Sequence, residues 1–320
     1  MAVISKCLRK GSETAAYVAD QAAGQISRWL EPNELPDPGN LFLRRYGPWA
    51  LVTGAARAEG VGYGFARRLA GRNFSLVLVD NRGPDLERRA AELRARYDVK
   101  VRPVVLDLGE PDFAEALQAQ TSDIEVGLLV CNHMATPADT PPILEMDLAT
   151  LHAMLDINAR AYTTLIHTYG RQMAARGRGG MVVVSSGAGL MPTPYTGAYS
   201  ANKAYQIALG EALWYELQSR GVDVTVAVLG LTNTQGDALA GYPQFMVAEV
   251  DPTVVEILDN LGKSPQVIPG TVNKLFLAAQ TRLMPRRMAL QTIGGFMARG
   301  LGKDKQPEPV SRPEIAAPIA

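Results

Sequence analysis

Cysteine is scarce in this chain: Cys7 and Cys131 are the two among 320 residues. That excludes a disulfide framework. Two thiols sit most simply in a reducing compartment, so a cytoplasmic location is expected. An excess of either charge is also lacking, since Lys plus Arg number 32 and Asp plus Glu number 32. Nucleic-acid binders normally carry a clear basic excess, so no nucleic-acid partner is expected. No apolar run reaches the roughly 18 residues that a membrane span needs. The opening "MAVISKCLRKGSETAAYVADQ" has early basic residues but no apolar stretch after them, and no secretory signal is read there. Repeats at a solenoid period are missing too. What is present, 47% hydrophobic and 20% charged residues, suits a globular protein of one large domain or two smaller ones.

Residues 1–48 read as an N-terminal helical extension. Ala15, Ala19, Ala22, Ile26 and Trp29 recur at helical spacing, with Ser12 as N-cap, until "EPNELPDPGN" breaks the pattern. This helix is expected to pack on the domain or on a partner chain. From Trp49 onward, short apolar runs alternate with amphipathic segments. The strand candidates are "WALVT" (49–53), "SLVLVD" (75–80), "KVRPVVL" (100–106), "VGLLVCN" (126–132), "MVVVSS" (181–186), "DVTVAVLG" (223–230) and "PQVIP" (265–269). Strands apolar on both faces and separated by helices imply a parallel sheet covered on both sides. The expected fold is α/β: a single doubly wound, Rossmann-type parallel sheet of about seven strands. A catalytic domain is placed at 49–270, with a substrate lid at about 235–262. C-terminal helices follow at 271–303, then a Pro-rich tail, 304–320, expected to be disordered.

Such sheets bind ligands at the carboxyl ends of their strands. After the first strand, "TGAARAEGVGYGFARRLA" places Gly54, Gly60, Gly62 and Gly64 before a helix. Glycines let the backbone approach a pyrophosphate, whose charge the helix N-terminus favours. The second strand ends in Asp80, which can accept hydrogen bonds from adenosine ribose hydroxyls. A plain turn aspartate in "DNRGPD" is the other reading; the spacing from the glycines favours the first. Asp107 closes the third strand and Asn132 the fourth. Asn158 in "DIN" sits mid-helix, where asparagine is somewhat unfavourable.

The stretch "PYTGAYSANKAYQ" raises the question of proton chemistry. A free tyrosine, with pKa about 10, is a poor acid or base at neutral pH, and a neighbouring ammonium favours its phenolate. Residues four apart share a helix face, so Tyr199 can pair with Lys203, whereas Tyr195 is displaced and Tyr205 points elsewhere. The strand "MVVVSS" delivers Ser185 and Ser186 beside that helix.

This constellation resembles the short-chain dehydrogenase/reductase family. The family's serine, tyrosine and lysine follow one another at intervals of 13 and 4 residues, as Ser186, Tyr199 and Lys203 do (199 − 186 = 13; 203 − 199 = 4). Asn158 matches the family's helix asparagine, and Asp80 its acidic strand end. "EVGLLVCN" and "SSGAGLMPTPYTGAYSANKA" are most similar to the hydroxysteroid dehydrogenase and long-chain 3-ketoacyl reductase group. The resemblance implies catalysis by Asn158, Ser186, Tyr199 and Lys203. Tyr199 would be the acid/base, with its pKa lowered by Lys203 and by the positive nicotinamide. Lys203 would also hold the nicotinamide ribose, Ser186 would orient the substrate oxygen, and Asn158 would hold a proton-relaying water. It implies cofactor contacts from Gly54, Arg57, Gly60, Val61, Gly62, Asp80, Asp107, Leu108, Asn132, Leu231 and Thr234, besides Tyr199 and Lys203. Substrate contacts would come from Ser186, Leu190, Met191 and Tyr195. No metal is implied. Family members commonly pair their long helices, so a homodimer or homotetramer is expected from 147–176 and 198–220.

The sequence departs from the family in three places. Five residues separate Gly54 and Gly60, two more than in the family, which unsettles Arg57. "CNHM" (131–134) stands for the family's "NNAG", bringing in His133 and Met134; His133 reads as a packing or pocket-shape residue. Leu229-Gly230 replaces "PG", while Thr234 is kept. The implied activity is NAD(P)-dependent interconversion of a secondary alcohol and a ketone. Asp80 favours NAD over NADP, with Arg82 and Arg57 as opposing influences. The apolar residues Leu239, Tyr242, Pro243, Phe245, Met246, Val247 and Val250 fit a bulky hydrophobic substrate, or else pack the lid or a dimer contact; both readings stay open. The alternatives are a non-catalytic dinucleotide-binding regulator and a sugar-nucleotide epimerase or dehydratase, whose usual loop and larger C-terminal domain are not evident. "LFLAAQTRLMPRRMALQTIGGFMARGLGK" mixes apolar and basic residues, compatible with peripheral membrane contact or with a helix closing the active site.

Overall fold

A computed structural model of the chain describes residues 40–137, 141–234, 239 and 242–301. The helix expected within 12–29 and the tail 304–320 lie outside the described residues. Seven parallel strands form one sheet in the order β3-β2-β1-β4-β5-β6-β7. They are β1 (Trp49–Thr53), β2 (Ser75–Asp80), β3 (Val101–Val105), β4 (Val126–Cys131), β5 (Gly179–Ser186), β6 (Val222–Leu229) and β7 (Gln266–Val267). The strand order reverses between β1 and β4, which opens a crevice at the carboxyl ends of these two strands.

Side-chain alternation along each strand divides the core in two. Val52, Leu76, Leu78 and Val130 face helices Val61–Gly71, Gly83–Arg96 and Val250–Asn260. Leu51, Val77, Val79 and Leu129 face helices Phe113–Ala119, Ala161–Arg176 and Gly197–Gln218. Strands buried on both faces explain the near-continuous apolar runs. The expected doubly wound sheet is therefore what the chain builds. β7 shrinks to two residues because Pro265 and Pro269 flank it and cannot donate to a ladder.

Two boundaries differ from the sequence expectation. Residues Leu41–Tyr46 form a short helix whose Tyr46 is 2% exposed within the first core half, with its hydroxyl donating to Asp223 at 2.6 Å. The end of the presumed extension is thus part of the domain. The helix Val250–Asn260, within the expected lid range, packs on the core. Val250 and Val254 pack against Gly64, and Ile257 and Leu258 are buried. The long helix bearing Asn158 is also not uniform: Leu148–Leu155 and Ala161–Arg176 are joined by one π-helical turn, Asp156–Arg160.

Candidate active site

The glycine loop after β1 is tight enough to require glycine at two points. Gly54 has φ 68°, a left-handed conformation that side chains disfavour. A Cβ on Gly62 would stand 2.2 Å from the Gly54 carbonyl oxygen and 2.7 Å from the Asn132 amide nitrogen. Asn132 ties the turn from the neighbouring strand, donating from Nδ2 to the Thr53 and Gly54 carbonyls at 3.1 and 3.2 Å. The helix Val61–Gly71 begins at Gly60, which supplies no side-chain cap. Its first N–H groups are left for an anion. The inserted residues of the loop bring Arg57 Nη1 to the Thr234 carbonyl at 3.2 Å. Thr234 follows β6, whose downstream loop is pinned by the Ala248 N–H donating to the Leu231 carbonyl at 2.8 Å.

Asp80 closes β2 with its carboxylate facing this loop. It accepts from the Ala56 N–H at 3.0 Å and from the Arg82 N–H at 3.1 Å, and pairs with Arg82 Nε at 3.4 Å. Asp107 lies two residues past β3 and accepts from the Gly109 N–H at 2.8 Å, while Leu108 is buried. A glycine cradle, an uncapped helix start and a strand-end carboxylate on one rim fit a dinucleotide.

At the other side of the crevice, β5 delivers Ser186 and the helix Gly197–Gln218 delivers Tyr199 and Lys203. The Ser186 hydroxyl lies beside the Tyr199 phenol. Burial holds the phenol above its ordinary range, and Ser186 acts the other way. Desolvation here outweighs the contact with Ser186. Lys203 Nζ lies 5.5 Å from the centre of the Tyr199 ring. It donates to the Val184 carbonyl at 3.3 Å and to Gln206 Oε1 at 3.0 Å. Burial pulls Lys203 down to about 7. Ser185, the other serine, donates to the Lys203 carbonyl at 2.8 Å and so braces the helix.

Asn158 occupies the π-helical turn. Its side chain pairs with the backbone of Ala135, accepting at 2.8 Å and donating at 2.7 Å. Its own carbonyl accepts from Gln206 Nε2 at 2.9 Å. Tyr205 is bonded to Thr163 on the neighbouring helix and faces away from the site. Tyr195 sits in a left-handed turn (φ 69°) ahead of the helix.

An apolar recess adjoins Tyr199, lined by Pro137, Ile143, Met146, Met154 and Tyr195. Sequence reasoning reached Tyr195 alone among these; the signal for Pro137, Ile143 and Met146 was the Pro- and Met-containing run "ATPADTPPILEM". Leu190 packs toward the second core half. Met191, also expected to touch substrate, is 1% exposed and enclosed by Ala289 and Ile293 of the helix Arg286–Gly300. It shapes the site from behind and is not on its open wall.

The model of the family described as short chain dehydrogenase matches residues 48–241. This chain belongs to that family. As a family member it is an NAD(P)-dependent oxidoreductase that interconverts an alcohol and a ketone. A 7beta-hydroxysteroid dehydrogenase of Collinsella aerofaciens is 33% identical over 237 residues, spanning 72% of this chain and 89% of that relative. A mouse very-long-chain 3-oxoacyl-CoA reductase is 26% identical over 294 residues, spanning 89% and 91%. A Sphingobium yanoikuyae short-chain dehydrogenase solved with NADPH superposes with a TM-score of 0.63 at 26% identity, covering 83% of this chain and 99% of that one. The resemblance to the hydroxysteroid and ketoacyl reductase group therefore holds. The reading as a non-catalytic regulator is not favoured.

His133 replaces a small family residue beside this site. It is buried, its ring stacks on Tyr162 at 4.3 Å, and its Nδ1 meets the Thr53 hydroxyl at 2.8 Å. Burial first, and the charge of Lys203 second, push it down to about 3. A neutral, packed imidazole is the result. Among the described residues, no group of three His, Cys, Asp or Glu side chains is placed to hold a metal, and no helix is long and apolar enough to cross a membrane.

Proposed function

We propose that this enzyme reduces a bulky, hydrophobic, steroid-like ketone, or oxidises the matching secondary alcohol. The observation that carries this is the apolar recess of Pro137, Ile143, Met146, Met154 and Tyr195 beside the Tyr199 phenol. Thr136, Thr196 and two tyrosine rings share its wall, but apolar side chains predominate, and the name of the Collinsella relative points the same way.

The bound dinucleotide supplies the hydride in reduction and accepts it in oxidation. Its adenosine ribose is assigned to Asp80, its pyrophosphate to the loop Gly54, Gly60, Val61 and Gly62, and its adenine surroundings to Asp107 and Leu108. Asn132, Leu231, Thr234 and Arg57 complete the cradle. In reduction, Tyr199 gives its phenolic proton to the carbonyl oxygen as the carbonyl carbon takes the hydride; in oxidation it removes the hydroxyl proton. Ser186 holds the substrate oxygen beside the phenol. Lys203 presents its remaining N–H to the nicotinamide ribose and its charge to the phenolate. Asn158 anchors the segment at Ala135 that leads into the recess.

NAD is the assigned cofactor, because the Asp80 carboxylate repels a 2′-phosphate. Arg82 already pairs with Asp80 and would have to turn away to serve a phosphate. The chain is proposed to assemble as a homodimer, or a tetramer of such dimers. Leu148, Leu155, Tyr205 and Tyr215 are exposed on its long helices. A panel of steroid ketones, 3-ketoacyl thioesters and small aromatic ketones, followed by dinucleotide absorbance, tests the substrate class. Steroid ketones are expected to give the highest kcat/KM; preference for a short polar ketone would overturn the assignment.

A further inference from the structure

Lys203 is buried at 3% exposure, and its ammonium has lost most of its water. Two of its three N–H groups are engaged, both by neutral oxygens: the Val184 carbonyl of β5 and Gln206 Oε1. Gln206 is fully buried three residues further along the same helix face. Its other end donates to the Asn158 carbonyl in the π-helical turn at 2.9 Å. The amide orientation is fixed by its neighbours. Turning it over would set an NH2 against an ammonium and a carbonyl against a carbonyl. A glutamine matches an ammonium on one side and a backbone carbonyl on the other at this span. An aliphatic residue satisfies neither, and a glutamate satisfies one.

We infer that Gln206 is the positioning residue of the active-site lysine: it holds Lys203 Nζ at the Tyr199 ring and locks it to the Asn158 turn. The inference rests on the acid/base reading of Tyr199 and Lys203. It places a side chain between Lys203 and the Asn158 turn, where the family resemblance implies a proton-relaying water held by Asn158. The ionisable groups facing Lys203 are Tyr199 on its own helix, His133 beyond β4, and Tyr162, whose hydroxyl donates to the same Val184 carbonyl at 3.1 Å. Among the described residues no carboxylate pairs with it, and burial pulls its protonation down. The Gln206 oxygen therefore matters to the ammonium form: without it, Lys203 loses its proton more easily and the Tyr199 phenolate loses a stabilising charge.

The test is Gln206→Met, of similar length and helix propensity, assayed as the pH dependence of alcohol oxidation. Turnover should fall about tenfold, and the midpoint of the alkaline-rising limb should move up by about half a unit or more. Gln206→Glu, which keeps an acceptor for Nζ, should recover part of the lost turnover. A folded Met variant with unchanged turnover and unchanged midpoint would reduce Gln206 to a packing residue. Should the Met variant not fold, the wild type decides by NMR with 15N-labelled glutamine side chains. A protected amide pair whose shift titrates with the activity midpoint supports the link, and the lack of any such pair refutes it. Absence of any alcohol or ketone turnover in the wild type would instead refute the underlying reading of Tyr199.

Discussion

Asp80 shows how one carboxylate decides between two cofactors. Its oxygens are aimed by the N–H groups of Ala56 and Arg82, so it is presented to the loop rather than lost to solvent. Asp80→Ala removes the acceptor and the repulsion together. Titration with each dinucleotide should show NADH binding weakened about tenfold and NADPH binding strengthened, with Arg82 released to a phosphate. A wild-type preference for NADPH would contradict the assignment. His133 makes a pH statement about stability. Its ordinary pKa is about 6.5, and in the folded protein it is pushed down to about 3. The unfolded chain therefore binds a proton at His133 that the folded one does not, and stability falls as pH drops below about 6.5. At pH 5 this amounts to about 2 kcal/mol from this group alone. Urea unfolding at pH 7 and pH 5 should show a smaller loss for His133→Ala than for the wild type. The sequence singled out Ser186, Tyr199, Lys203 and Asp80 because their intervals and strand-end positions match those of the family they resemble. Gln206 and Met154 were not, because a buried glutamine and a recess-lining methionine look like ordinary helix residues until the facing element is known.

At the scale of elements, the glycine turn and the π-helical turn do most to shape the site. The turn is set by close approach: Gly62 leaves no room for a Cβ against Gly54. Gly62→Ala should therefore weaken dinucleotide binding at least about a hundredfold, about 2.7 kcal/mol, measured by fluorescence titration. Gly197 opens its helix with no atom within 4 Å of where a Cβ would stand, and should accept alanine with no loss of binding. Equal effects of the two changes would contradict the role of the turn. The strands were readable nearly to the residue, since burial on both faces makes them apolar throughout. The π-helical turn was not, because inserting one residue into a helix leaves its composition unchanged. The lid boundary was hidden for a related reason. Val250 and Val254 look like any apolar lid residues, and their burial against Gly64 depends on a helix nearly two hundred residues earlier.

The described residues form one sheet with a core half on each face, and the candidate site gathers where the strand order reverses between β1 and β4. Family and architecture were legible because the Ser186–Tyr199–Lys203 intervals, Asn158 and Asp80 converge on a single family pattern. Assembly is different, since it depends on surfaces whose exposed Leu155 and Tyr215 carry no periodic signature. Light scattering at micromolar concentration should give a dimer or tetramer mass; a monomer mass would remove that part of the proposal. The central claim is that Tyr199 moves the proton while the dinucleotide moves the hydride. Its most direct test is turnover of a bulky ketone by wild type and Tyr199→Phe, with dinucleotide affinity measured on both. The account predicts a loss of about two to four orders of magnitude in kcat, with affinity changed less than about twofold. A Phe variant that keeps turnover within about tenfold of the wild type would contradict it.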